Sequence, residues 1–266
     1  LDVVPEWITP AQLASHTSGL PRIHVPIWKA LIKPLPQDPY SQFTRDDLLD
    51  WFRDWRVDAP PKKTHHSYSN LGVGLLGEAL SIREGKPFVE LLSQRVLTPL
   101  GLTDTVAVLN DDQHHRFMQP RSTKGKAVPA WTFQSMAAAG CQRSTVKDLG
   151  LFSERVIQAT KTPETALDRA ICRSLEPIFG LSPGGGTEPA AQCAGWMSMT
   201  LEKPGPRILH HDGGTAGSTC ALYVCPEKAA SIVVLSNNGV AANLWASAKL
   251  SWSNPLRQAH QIFADL

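Results

Sequence analysis

The sequence predicts an α+β fold: a mostly helical region over residues 1–180, then an antiparallel sheet and a closing helix over residues 190–266. Two observations carry this expectation. Apolar residues recur every 3.6 positions through the first two thirds of the chain and every second position after that. The period-2 segments are joined by short turns, Pro226-Glu227-Lys228 among them, and connections that short join antiparallel neighbours. The 266 residues can bury a sizeable core without a disulfide or metal staple, and they read as one domain with no internal repeat.

The elements follow in order. Thr44 and Asp47 have the spacing of a capping box, after which Leu48, Trp51, Phe52 and Trp55 fall on one helical face. Asn70 suits the cap of a helix whose stripe is Leu71, Leu75, Ala79 and Ile82. Pro87 suits the first turn of the next helix, with Phe88, Leu91, Leu92 and Val96 inward. Ser144-Thr145 precede a helix with the stripe Leu149, Phe152 and Val156, and Thr162-Pro163 open another through Leu167 and Ile171. Residues 181–190, with Gly184-Gly185-Gly186 and two prolines, read as a loop and as the best internal boundary. Four strands are then expected over Gly195–Leu201, Arg207–His211, Thr219–Val224 and Ser231–Ser236, followed by a helix from Ala241 to Leu266 interrupted at Pro255.

Composition excludes several function classes. Lys and Arg number 26 against 24 Asp and Glu, a net charge of +2 with no long run of either sign, so no nucleic-acid partner is expected. No apolar stretch reaches the eighteen or so residues of a membrane segment. The start Leu1-Asp2-Val3-Val4-Pro5 has neither Met nor a signal peptide's basic and apolar regions, which suggests a processed chain or a piece of a longer one. The five cysteines show no zinc-ligand spacing and read as buried free thiols. The pairs His65-His66, His114-His115 and His210-His211 do not suggest a metal site. Adjacent residues diverge by about a hundred degrees on a helix and face opposite ways on a strand.

Three segments carry a resemblance. Ile8-Thr9-Pro10-Ala11-Gln12-Leu13-Ala14-Ser15-His16-Thr17-Ser18-Gly19-Leu20-Pro21, Tyr68-Ser69-Asn70-Leu71-Gly72 and His210-His211-Asp212-Gly213-Gly214-Thr215-Ala216-Gly217 stand in this order. Pro99-Leu100-Gly101-Leu102-Thr103-Asp104-Thr105, Ser144-Thr145-Val146-Lys147-Asp148-Leu149 and Ala194-Gly195-Trp196 support them. Together they resemble the serine β-lactamase and penicillin-binding-protein superfamily, in the branch of class C β-lactamases, D-Ala-D-Ala carboxypeptidases and family VIII carboxylesterases. The resemblance implies a β-lactamase/transpeptidase-like α/β sandwich, an antiparallel sheet flanked by helices with a helical subdomain. It also implies acyl transfer to water through an acyl-serine, without metal or organic cofactor, and a periplasmic or secreted location. The substrate would be a small-molecule ester, a β-lactam or a D-amino-acid peptide.

By that resemblance Tyr68 is the proton shuttle, Asn70 holds the substrate amide or the catalytic lysine, and His211 stands where Lys is more usual. The Gly214 N–H donates to the oxyanion, and Asp212, Gly213 and Thr215 adjoin the substrate. Acyl transfer needs such a base and such donors around an activated nucleophile. His16 and Ser18 belong to a loop that is structural in the family.

The superfamily's S-x-x-K nucleophile precedes all of these motifs, and Leu1–Pro5 is similar to the end of the stretch that follows it. The nucleophile helix and first strands are therefore expected on a more N-terminal segment of the same protein. One S-x-x-K does occur, Ser144-Thr145-Val146-Lys147, where the family has a capping segment. Three readings stand: a serine hydrolase whose nucleophile lies outside this chain, a non-catalytic binding module, and an enzyme using Ser144 and Lys147.

Overall fold

The computed structural model describes residues 2–25, 38–55, 59–60, 62–181, 188–200, 205–239 and 262. Leu1, Leu201, the Gly184–Gly186 run and the expected helix from Ala241 to Leu266, Ile262 excepted, lie outside the described residues. The chain divides into two compact units, residues 1–92 with 131–141, and residues 93–130 with 142–266.

The first unit is helical. Thr9 opens the helix Pro10–Ala14 with a capping box to Gln12, and Pro10 takes the first turn, where a missing N–H costs nothing. Thr44 opens Arg45–Asp54 in the same way, its Oγ1 accepting from the Asp47 N–H while Asp47 accepts from the Thr44 N–H. Leu48 and Phe52 are buried as their spacing predicts, with Trp51 and Trp55 packed beside them.

The helix Asn70–Glu84 departs from the predicted stripe. Its cap is Ser69, whose Oγ accepts the Gly72 N–H, and Asn70 is the first helical residue. Leu71 and Leu75 are buried, but Ile82 is 47% exposed. The buried face continues instead through Gly74, Gly77, Glu78 and Ser81. The glycines admit the segment with the short helical turn Ala137–Ala139, and a methyl on Gly77 would stand 2.5 Å from the Ala138 Cβ. Glu78 is buried there and paired with Arg45 Nε at 2.6 Å. Segment 131–141 is tied in by Ser135 N–H to Phe43 O and by Thr132 N–H to the Asp38 carboxylate, both at 3.0 Å.

The helix Phe88–Leu92 buries Leu91 and runs on as a π-turn over Ser93–Leu97. Val96, expected inward, is half-buried there.

The second unit is built on one six-stranded antiparallel sheet whose strands follow chain order: β1 Phe179–Leu181, β2 Glu188–Gln192, β3 Met197–Thr200, β4 Arg207–Gly214, β5 Thr219–Cys225 and β6 Ala230–Ser236. The sequence shows the last four; β1 and β2 replace part of the predicted loop over 181–190. Pro189 hides β2, and the β2–β3 register shifts between Glu188 and Ala191, where a residue without an N–H is accommodated.

Side chains alternate across the sheet. Leu209 and Val224 pack with Val156, Ile157 and Ala159 of the helix Val146–Lys161 and with Ile171 of Ala166–Ser174. Ile208, Ala221, Tyr223 and Cys225 form a second cluster with Met199. Their neighbours Leu209 and Val224 belong to the first, as period-2 strands with two buried faces require. Thr165, rather than Thr162, caps Ala166–Ser174, because Thr162 ends the preceding helix. The five cysteines are free thiols; Cys141, Cys193 and Cys225 are buried, whereas Cys172 is half-buried and Cys220 exposed.

Candidate active site

Tyr68 and Asn70 belong to the first unit; Ser144, Lys147 and His211 to Thr215 belong to the second. In the first unit the loop Ser15–Arg22 mounts the start of the helix Asn70–Glu84. Ser67 N–H donates to His16 O at 2.8 Å, Ser69 N–H to His16 Nδ1 at 3.1 Å, and Ser69 Oγ to Pro21 O at 2.7 Å. Asn70 N–H and Leu71 N–H both reach Arg22 O, at 3.0 and 3.4 Å. Donors at a helix start have no partner within the helix, and here the loop's carbonyls take them.

His16 pays for its place with an unusual backbone, φ +56°, in the left-handed region that a bulky side chain rarely adopts. Its buried imidazole lies 4.2 Å, centroid to centroid, from the Tyr68 ring, tilted 34°. The Arg22 guanidinium carbon stands 5.1 Å from the centroid of the same ring.

Asn70, the first helical residue, does not cap its helix. Its Nδ2 donates to the Tyr40 hydroxyl at 3.0 Å, which leaves the carbonyl end of the amide to face away from Tyr40. Tyr40 is buried, stacked on Phe133 at 5.1 Å and edged by Trp131. Burial pushes its phenol up, against the Asn70 hydrogen bond and the Arg22 charge.

In the second unit the candidate residues lie at the end of β4. His211 pairs in register with Leu222, Asp212 with Ala221, Gly213 with Cys220 and Gly214 with Thr219. Alternation puts His211 and Gly213 on the face of Leu209, and His210 and Asp212 on the face of Ile208. His210 stacks on Tyr223 at 5.4 Å, so the two adjacent histidines serve different faces. Burial holds the His211 imidazole below the usual histidine range, against the opposing charge of Asp212. Burial and the same carboxylate push Tyr223 up.

Gly213 leaves room for its cross-strand neighbour, since a methyl there would meet Cys220 Sγ at 2.9 Å. Gly214 is exposed at the strand end. Thr215 turns the hairpin: its Oγ1 accepts from Ser218 N–H at 3.1 Å and Gly217 N–H at 3.3 Å. Segment 119–128 braces this turn, with Arg121 N–H donating to Gly217 O and to Asn237 O at 3.0 Å each.

Ser144 sits elsewhere in this unit. Its Oγ is 2.8 Å from Thr105 Oγ1, which itself donates to Asp148 at 2.8 Å. Asp148 also accepts the Asp104 N–H and gives its own N–H to Thr145 Oγ1, the helix cap. The cap at Thr145 is thus one-sided, because the Asp148 carboxylate serves Asp104 and Thr105. Lys147 is exposed on the first turn. Among the described residues no three His, Cys, Asp or Glu side chains gather as a metal site, and no helix is long and apolar enough to cross a membrane.

The beta-lactamase family model matches residues 5–249, which takes in both groups of candidate residues. The chain belongs to the beta-lactamase family. It is 27% identical over 230 residues to the D-alanyl-D-alanine-carboxypeptidase/endopeptidase AmpH of Escherichia coli K12, covering 83% of this chain and 56% of that protein. A beta-lactamase of Pseudomonas fluorescens is 23% identical over 223 residues, covering 76% and 62%. The chain therefore spans a little over half the length of these two relatives. The beta-lactamase/D-alanine carboxypeptidase of Pseudomonas syringae superposes with a TM-score of 0.71 at 22% identity, covering 96% of this chain and 76% of that one. At that identity the likeness establishes the fold, an α+β arrangement of antiparallel sheet and flanking helices.

Sequence reasoning missed Tyr40 and Arg22 and gave His16 no part near Tyr68. The H-T-S-G segment through Pro21 is visible as a motif, but its contact with residues 67–71 is a tertiary fact. No local signal pointed to Tyr40.

Proposed function

We propose that this chain is the part of a serine hydrolase that carries the proton shuttle and the oxyanion strand, and that the full protein hydrolyses an ester or peptide through an acyl-serine. The carrying observation is the mount of Tyr68 and Asn70 at one helix start, in a chain of the beta-lactamase family. Tyr68 takes the proton from the attacking hydroxyl and returns it to the leaving group. Asn70 orients the substrate amide, with its own amide oriented by Tyr40. Gly214 N–H donates to the developing oxyanion, a group whose removal typically costs two to three orders of magnitude in rate. Gly213 lets substrate approach the strand closely, with Asp212 and Thr215 beside it.

The nucleophile in this reading is a serine on a more N-terminal segment of the same protein, outside residues 1–266. Ser144 is a bracing residue, since its hydroxyl is engaged with Thr105 beside a helix cap. His211 favours esters and peptides over β-lactams: a neutral imidazole is a weaker partner for a β-lactam carboxylate than an ammonium would be. The relatives' names span both chemistries, a D-alanyl-D-alanine-carboxypeptidase/endopeptidase and a beta-lactamase. A periplasmic or secreted location, which the resemblance implies, is proposed with it.

The test is a substrate panel on the full protein: a p-nitrophenyl ester, a peptide ending in D-Ala-D-Ala, and a chromogenic cephalosporin. The expected order of kcat/KM places the ester or the peptide at least tenfold above the cephalosporin. A cephalosporin preference overturns the substrate reading, and no hydrolysis of any of the three overturns the enzyme reading.

A further inference from the structure

We propose that Arg22 is a charge-setting residue for Tyr68, making its phenol more acid, and that the Ser15–Pro21 loop exists in part to hold that guanidinium against the ring. A tyrosine that accepts a proton near neutral pH needs a cation close by, because its unperturbed pKa is near 10. Arg22 is a permanent cation in Tyr68's own unit, with its guanidinium carbon 5.1 Å from the ring centroid.

The backbone fixes that placement. Arg22 O accepts the N–H groups of Asn70 and Leu71, and Pro21 O accepts the Ser69 hydroxyl. The residue before Arg22 and the residue after Tyr68 are therefore bonded to each other. On the same ring, His16 packs at 4.2 Å, with His66 edge-on to His16 at 5.9 Å. Among the described residues, His16, His66 and Arg22 gather at Tyr68, with Tyr40 next along on Asn70.

His16 Nδ1 accepts the Ser69 N–H, so its lone pair is committed and its proton belongs on Nε2. A protonated His16 would forfeit that bond, whereas the Arg22 guanidinium keeps its charge across the working pH range. Arg22 also tends to lower the Tyr40 phenol, an independent sign that its charge reaches this cluster. A phenolate spreads negative charge into its ring, so a guanidinium over the ring favours the ionised form more than the neutral one. Arg22 is itself exposed, which limits the effect to about a three- to tenfold gain in acidity.

The functional meaning rests on reading Tyr68 as the proton shuttle, but the acidity itself is measurable without turnover. The experiment is a pH titration of tyrosinate absorbance in the full protein, with the Tyr68 transition isolated by subtracting the Tyr68→Phe curve. Arg22→Gln is expected to weaken Tyr68 as an acid by three- to tenfold, and Arg22→Lys to keep most of the wild-type value. An unchanged transition in Arg22→Gln overturns the proposal, as does a shift in Arg22→Lys equal to that in Arg22→Gln, which would assign the effect to packing. In the enzyme assay, the same substitution should move the acid limb of the kcat/KM profile upward in pH. If no variant and no wild type turns over substrate, the enzyme reading fails while the titration still decides the role of Arg22.

Discussion

The two groups of candidate residues are held by different kinds of structure. Around Tyr68 and Asn70 the support is a loop bonded to a helix start, and it depends on particular side chains: the left-handed His16, the Ser69 hydroxyl and the Tyr40 phenol. Around His211 to Gly214 the support is a backbone ladder to β5, and the side chains contribute mainly by being small or by filling a face. A ladder tolerates changes of side chain that preserve alternation, whereas a loop mount fails when one of its acceptors is lost. Substitutions should therefore separate the two regions.

The largest effect is expected in the first. Tyr68→Phe should lower kcat/KM of the full protein by roughly a hundredfold or more while the melting temperature stays within about 2 °C of wild type. Steady-state kinetics beside a thermal melt checks this, and unchanged turnover removes Tyr68 from the chemistry.

The next contrast is between two helix glycines. Gly77→Ala places a methyl 2.5 Å from the Ala138 Cβ, beneath the helix that carries Asn70, and should cost about 1–3 kcal/mol despite alanine's better helix propensity. Gly150 lies in the helix Val146–Lys161 with nothing among the described residues within 4 Å of such a methyl, so Gly150→Ala should stabilise by about 0.5–1 kcal/mol. Urea unfolding of both variants reads the two signs directly.

A third prediction concerns pH. Burial lowers His24 in the first unit and His211 in the second below their ordinary value of 6.5. The unfolded chain therefore binds more protons than the native one just below that value, so the stability tied to each neutral imidazole is present above it. That stability is lost as pH falls from 6.5 toward the lowered native values. His24→Phe and His211→Asn should each flatten the decline in melting temperature between about pH 6.5 and 5. A decline as steep in both variants as in wild type assigns the acid lability to other groups.

The smallest effect is expected at Ser144. Ser144→Ala should cost about 1 kcal/mol, from the lost bond to Thr105, and leave kcat/KM within roughly twofold.

How far the sequence could be read follows the same division. Strands β3 to β6 are legible because they are short apolar runs joined by tight turns, and the Thr44 cap is legible because its partner Asp47 lies three residues away. β2 is not, since Pro189 argues against a strand and only the register shift beside β3 admits it. The stripe through Ile82 was misread for a related reason: the buried face of that helix runs through glycines, which carry no hydrophobic signal. Among the candidate residues, the motif order pointed to Tyr68, Asn70 and His211. Their surroundings are contacts across tens of residues, Tyr40 to Asn70 and His16 to Ser69, which no local spacing encodes.

The most direct measurement of the acyl-serine reading is intact-mass spectrometry of the full protein after exposure to a fluorophosphonate and to a penicillin, followed by peptide mapping. One adduct per chain is expected, on a serine outside residues 1–266. An adduct on Ser144 would contradict this and make Ser144 and Lys147 the nucleophile pair, and no adduct on a protein that turns over substrate would contradict covalent catalysis itself.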